Sequence, residues 1–346
     1  MVDCAVIGQG IAGTCMVHAL LERGLTVRVF DDKDGHTASL RAAGVINPIT
    51  GRRFVKTWRA DQVIPGAYKF YSNLSAKMET EQLVLKRGVL HAMSEPIMEE
   101  NWLLRQGDES YAPFMGGLKR IDKKAFGGVF GEVKGGLQVR MPEVLSFSKR
   151  WFDNQGVARS KVLRHYTTRT DELAESLDAQ TVIFCEGAAV ADNTHFNFLP
   201  HKVAKGEAII CHIPNLRSQY ILKGDGGISI VPLWEEDVYW VGSTYEWDVY
   251  DPTPTNEARE VLEVKMSMFL KCDHEIVDHI AGIRPTTKDR RPYVGVHPDC
   301  KDVYLLNGLG TKGASLAPYC ASAIADHIVS DTPIPEGMNL LRYYKS

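Results

Sequence analysis

Hydrophobic positions at the start of the chain switch between two periods. Cys4-Ala5-Val6-Ile7 is an unbroken apolar run, the pattern of a strand buried on both faces. Ile11 to Arg23 places apolar residues at helical spacing up to Gly24, and Thr26-Val27-Arg28-Val29-Phe30 returns to a strand pattern. Strand, helix, strand in that order predicts a βαβ unit with parallel strands. Ser39 to Arg53, rich in Gly, Pro and small residues, predicts an irregular loop that faces a ligand, followed by a helix over Gln62 to Asn73.

From Leu83 to Val139 the pattern breaks into short alternating pieces such as Gly88 to Ala92, separated by the pairs Gly116-Gly117, Gly127-Gly128 and Gly135-Gly136, which predicts part of a β-rich unit. A helix over Pro142 to Asn154 and a buried strand over Thr181 to Phe184 return the chain to the first unit. Glu207 to Ile213, Ile228 to Leu233 and Val238 to Gly242 then read as strands of an antiparallel sheet, and Asn256 to Leu270 as a helix. Val303 to Leu306 is a further strand, leading through a glycine turn into a helix over Leu316 to Val329, with Pro318 expected in its first turn, where an N–H is not needed. Both domains are therefore expected to be discontinuous: 1–80, 140–195 and 281–346 in one, and 81–139 and 196–280 in the β-rich other.

Charge and cysteine content narrow the partners. A net charge of −3 lacks the electrostatic footprint that a phosphate backbone demands, which argues against nucleic acid as a general partner. The local run Arg52, Arg53, Lys56 and Arg59 reads as a solvated helix face. The 7 cysteines are scattered and never form C-x-x-C, which suits reduced thiols and a cytoplasmic location, and no apolar run has membrane-spanning length. His274-Glu275-Ile276-Val277-Asp278-His279 has its histidines at a spacing that puts them on different helix faces, so no metal site is expected.

The chemistry-bearing motif is Gly8-Gln9-Gly10-Ile11-Ala12-Gly13, a G-x-G-x-x-G between strand and helix, with Asp31 and Asp32 closing the next strand. In such a motif the first glycine makes the tight turn, the second admits a pyrophosphate toward the helix N-terminus, and the third packs helix on strand. The acid accepts hydrogen bonds from ribose hydroxyls and repels a 2′-phosphate, so the pattern predicts an adenine dinucleotide other than NADP. A second copy, Gly308-Leu309-Gly310-Thr311-Lys312-Gly313, has no following strand or acid. It is expected to turn backbone amides and a helix N-terminus toward a negatively polarised group instead.

These motifs, with Ser39, Ala42-Ala43-Gly44 and Val45, Gly206-Glu207, Val231-Pro232, Gly242-Ser243-Thr244, and Gly282-Ile283-Arg284-Pro285 with Asp289 and Pro292, resemble in kind and order the D-amino-acid-oxidase-like flavoproteins, especially the glycine-oxidase and sarcosine-oxidase branch. The resemblance implies an α/β + β fold, a Rossmann-like FAD-binding domain joined to an antiparallel-sheet substrate domain. It also implies an oxidoreductase that takes hydride from the CH–NH bond of a small amino acid or N-substituted glycine to flavin N5, without a dedicated catalytic acid or base. It places Arg284 on the substrate carboxylate, with an ion pair to Asp289 as its alternative; Tyr245, just past the strand-end Gly242-Ser243-Thr244, is expected either beside the substrate or as a packed aromatic. The Cys185-Glu186-Gly187 turn replaces a smaller family pattern and Gly187 is expected against the cofactor, while Lys312 is expected beside the flavin or on a second anionic group. Family members with covalent flavin carry a cysteine where this chain has Ala281-Gly282-Ile283, which implies non-covalent FAD. The turn from Leu309 to Gly313 with Ala317-Pro318 is also similar to the FAD domain of the bifunctional tRNA 5-methylaminomethyl-2-thiouridine enzyme, implying as the alternative a tRNA-modification oxidoreductase. Under that alternative the Arg52 to Arg59 run contacts phosphate. Oxygen, a quinone and a carrier stay open as electron acceptor.

Overall fold

The computed structural model describes residues 1–31, 37–160 and 169–344. From the N-terminus the chain runs through β1 (Val2–Ile7), α1 (Ile11–Leu21), β2 (Val27–Phe30), α2 (Ala60–Lys77), β3 (Val89–Ala92), α3 (Pro96–Gln106), α4 (Met141–Asn154) and β4 (Ala179–Phe184). It continues through β5 (His201–His212), β6 (Ile221–Lys223), β7 (Ser229–Pro232), β8 (Val238–Gly242), α5 (Asn256–Phe269), β9 (Glu275–Thr287), β10 (Tyr293–His297), β11 (Cys300–Asn307) and α6 (Gly313–Ser330).

Two large sheets result among the described residues. The first is ordered Ala158–Ser160, β2, β1, β4, β11, β10, parallel except for β10. Its central strands are buried on both faces because helices cover them, which is why they read as continuous apolar runs. The second has nine strands and is antiparallel apart from one parallel pair, β6 with β3. It builds its own core around Phe126, Phe130, Ile209, Ile230 and Leu262.

Two expectations are corrected and one is extended. Residues 281–287, expected in the first domain, finish β9 in the large sheet, because β9 pairs with β5 along almost its whole length, from Thr287 opposite His201 to Glu275 opposite His212. The β-rich stretch from Leu83 to Val139 also holds a helix that the pattern did not mark: α3 starts on Pro96 and buries only Trp102, leaving Ile97, Leu103 and Leu104 exposed, so it shows no apolar stripe. Pro318 lies beyond the first turn of α6, where it cannot donate to the carbonyl of Ala314. That carbonyl accepts instead from the Tyr71 hydroxyl of α2 at 2.8 Å, so the proline leaves no orphan acceptor. His279, the end of the metal-like motif, sits within a strand, and the described residues hold no cluster that would bind a metal. No described helix is long and apolar enough to cross a membrane.

Candidate active site

A cavity of about 710 Å³ runs from the β1–α1 turn to the cavity-facing side of the large sheet. At the first end, Gly8 adopts φ +93°, and a Cβ there would stand 2.5 Å from the Cys185 carbonyl oxygen beyond β4. A Cβ on Gly13 would lie 1.8 Å from the carbonyl oxygen of Gly8, so α1 rests directly on the turn. Gly10 has only the Ser39 hydroxyl nearby, at 3.4 Å from such a Cβ, and it lines the cavity together with Ile11 and Ala12. Ser39 Oγ accepts from the Ile11 N–H at 3.0 Å and Asp31 Oδ1 from the Gln9 N–H at 2.9 Å, so both side chains brace the turn that they also face. Asp31, Ser39, Ala43, Gly44 and Val45 all reach the cavity wall. Gly13 stays behind it as a packing residue, and Asp32 lies outside the described residues.

The second glycine turn closes the opposite side. Leu309, Gly310, Thr311, Lys312 and Gly313 line the cavity where α6 begins, and Gly187 faces it from the turn after β4. Gly308 does not reach the wall: with φ +71°, a Cβ there would stand 2.4 Å from Thr287 Cγ2, so this glycine lets the ends of β11 and β9 meet. Burial and the like charges of Arg290 and Arg291 push the Lys312 pKa down. Bare glycine edges, two helix N-termini and an acid at the end of β2 are the donor and acceptor set that an adenine dinucleotide with an anionic pyrophosphate requires, and the cavity residues fit FAD in that sense.

Arg284 comes from β9 and lies across β5. Its Nη2 donates to Ser243 Oγ at 2.7 Å and its Nη1 reaches the Thr244 carbonyl at 3.4 Å. Gly206 of β5 makes the crossing possible, because a Cβ there would fall 1.7 Å from Nη2. Burial pushes the guanidinium pKa down, yet an arginine keeps its charge at any physiological pH. The alternative ion pair is not made: Asp289 binds Arg342 at 2.9 Å, and no acidic residue among the described ones pairs with Arg284. Tyr245, expected beside the substrate or as a packed aromatic, does not line the cavity; it is 46% exposed and packs its ring 5.4 Å from the guanidinium.

Sequence reasoning left several residues here without a role. Lys223 and Ser229, joined at 2.7 Å, line the cavity with Asn47, and Lys223 had no motif to mark it. Glu207, part of the Gly206-Glu207 pattern, is fully buried on the face of β5 that points away from the cavity. There it accepts from the Thr255 N–H at 2.8 Å and pairs with Lys205 at 2.9 Å, tying the start of α5 to the sheet. The basic run is not a helix face. Arg52 and Arg53 sit in an exposed turn, Lys56 pairs with Asp61 at 3.1 Å, and Arg59 precedes α2 with its guanidinium 5.2 Å from the Trp58 ring.

Residues 3–327 match the family model described as FAD dependent oxidoreductase, DAO. A glycine oxidase from Pseudomonas aeruginosa is 35% identical over 96 residues, which cover 27% of this chain and 26% of that protein. The tRNA 5-methylaminomethyl-2-thiouridine biosynthesis bifunctional protein MnmC of Idiomarina loihiensis is 22% identical over 96% of this chain and 57% of its own length. The matches thus span well under two thirds of both curated relatives. The crystal structure of glycine oxidase from Geobacillus kaustophilus shares the fold, with a TM-score of 0.85 over 99% of this chain and 98% of that one at 18% identity.

Proposed function

The chain belongs to the FAD dependent oxidoreductase family, and on that premise we propose that it oxidises the CH–NH bond of a small carboxylated amine, an amino acid or an N-substituted glycine. The observation that carries this reading is Arg284: a half-buried fork with no acidic partner among the described residues, held open toward the cavity by Ser243 and Gly206. A guanidinium in that state pairs with a carboxylate through two parallel hydrogen bonds and fixes the direction of the rest of the molecule.

FAD, when bound, supplies the hydride acceptor, the flavin N5. The protein groups proposed to hold it are the turn from Gly8 to Gly13 for the pyrophosphate, Asp31 with Asp32 for the ribose, and Ser39 with Ala43 to Val45 along the loop. Gly187 and the turn from Gly308 to Gly313, Lys312 included, complete the set around the ring. We assign non-covalent attachment, since the cysteine that lines the cavity among the described residues, Cys185, is buried and its thiol pKa is pushed up by that burial, which keeps it unreactive. No side chain is assigned as acid or base. The work of the chain's own residues is orientation: Arg284 holds the carboxylate, and Tyr245 packs its ring against the outer side of that guanidinium.

A second reading, oxidation of a carboxymethylamino group on a tRNA base, is favoured by one observation. Arg59 and Arg291 hold their guanidinium groups 5.2 and 5.0 Å from the same Trp58 ring, beside the Arg290 and Lys312 charges. One experiment addresses both. Anaerobic flavin reduction is measured for amino acids, their decarboxylated amines and a carboxymethylaminomethyl nucleoside, in the wild type and in Arg284→Ala. Loss of a charge-assisted pair worth about 1.5–3 kcal/mol lowers kcat/KM roughly ten- to a hundredfold for carboxylated substrates only. Equal loss on acid and decarboxylated amine sinks the carboxylate assignment.

A further inference from the structure

The cavity wall carries a second half-buried cation. Lys223 ends β6, and strand pairing sets it in a lateral row with His91 of β3 on one side and Ser229 of β7 on the other, continued by Gly242 of β8 and Ala208 of β5. Residues directly opposite one another in a sheet project to the same face. Ser229, Gly242 and Ala208 all line the cavity, and Lys223 does so with them. Its ammonium therefore faces ligand space.

The ammonium is poorly neutralised. It donates to Ser229 Oγ at 2.7 Å, and among the described residues no carboxylate pairs with it. An ammonium has three donors, so two remain for a ligand. His91, its neighbour in the row, is buried beside Asn47, and burial together with the Lys223 charge pushes its pKa down to about 3, which leaves it neutral. Burial lowers the Lys223 pKa to about 8, so the group still carries its proton at neutral pH. A half-buried charge with no counter-ion is unfavourable, and a ligand anion is what would relieve it.

Arg284 approaches the same row. It rests on Ser243, the residue after Gly242, and Gly242 lies directly opposite Ser229, on which Lys223 rests. With neighbouring strands about 5 Å apart, the two charges are separated by roughly 5–10 Å on one face. That is the span of a small molecule with an acidic group at each end. Building on the Arg284 assignment of the preceding subsection, we propose that Lys223 anchors a second carboxylate of the molecule whose first carboxylate Arg284 holds. Substrates of this site are then amino dicarboxylates, with the reacting C–N bond between two anchored ends.

The FAD-loaded protein is titrated with succinate and glutarate against propionate and butyrate, following the perturbation of flavin absorbance, in the wild type, Lys223→Met and Lys223→Arg. The dicarboxylates should bind at least about tenfold more tightly than monocarboxylates of matching length, as one charge-assisted pair implies. That preference should collapse in Lys223→Met and return in Lys223→Arg. Equal affinity for the two classes in the wild type, or a preference that survives Lys223→Met, overturns the inference. Flavin reduction by iminodiacetate, aspartate and glutamate, set against sarcosine and alanine, separates the two proposals. If no amine bleaches the flavin while the Lys223-dependent preference persists, the amine-oxidation reading fails and the anchor stands. If both classes bleach it with equal kcat/KM and the variants bind alike, the anchor fails and the oxidation reading stands.

Discussion

Gly206→Ala tests whether Arg284 works by position. An ideal Cβ on Gly206 would lie 1.7, 2.2 and 2.1 Å from Nη2, Nη1 and Cζ of Arg284. Ordinary contact needs about 3.5 Å, so the guanidinium has to retreat by roughly 1.5–2 Å. The displaced atoms are the tip of a flexible side chain, and Gly206 sits in the interior of β5, where alanine is the better residue by about 0.5–1 kcal/mol. The fold and FAD content should therefore survive, and thermal stability should hold or rise. The 2.7 Å bond to Ser243 is lost, and the carboxylate that follows the guanidinium is carried more than about 1 Å from its place. Misplacement of that size costs on the order of a hundredfold in rate. The assay is anaerobic flavin reduction with a carboxylated amine and its decarboxylated partner, which should lose far less. Placed on an Arg284→Met background, Gly206→Ala should add nothing further. Wild-type kcat/KM in the single variant, or additive losses in the double variant, would show that the crossing over Gly206 is incidental to function.

Two further outcomes are expected. Asp31→Ala should weaken FAD binding roughly ten- to a hundredfold, equivalent to about 1.5–3 kcal/mol, because the carboxylate both faces the cavity and holds the Gln9 N–H at 2.9 Å; FAD titration of apoprotein by fluorescence quenching reads this, and an unchanged Kd would move the ribose contact elsewhere. Stability should also fall with acid. His18 is buried against Ser148 and Trp151, and burial pushes its pKa down to about 3, so the unfolded chain takes up the proton first. Its contribution is complete above pH 6.5 and is lost as pH falls toward 3, at about 1.4 kcal/mol per pH unit. In unfolding measured with saturating FAD, His18→Gln, which keeps a polar partner for Ser148, should flatten the slope between pH 6 and 4 by about that amount. An unaltered slope would mean that His18 protonates in place.

Local sequence determined the parts whose partners are close along the chain. The turn from Gly8 to Gly13 packs against its own strand and helix, so spacing alone predicted β1, α1 and β2 and the place of Asp31 at the cavity. The second glycine turn was legible for the same reason, since β11 and α6 flank it directly. Everything that depends on register between distant strands was decided by the tertiary structure, because a shift of one residue in pairing sends every side chain to the opposite face. Only the pairing of β5 with β9 brings Gly206 under Arg284, and only the row from β3 to β8 carries Lys223 into the cavity beside Ser229. The Asp289 ion pair went to Arg342, and the carbonyl freed by Pro318 went to Tyr71, through contacts between residues far apart in the chain. Tyr245 shows the same limit: its place just after β8 was legible, but that its ring would flank Arg284 from the outside rather than line the cavity was set by the packing of β5, β8 and β9.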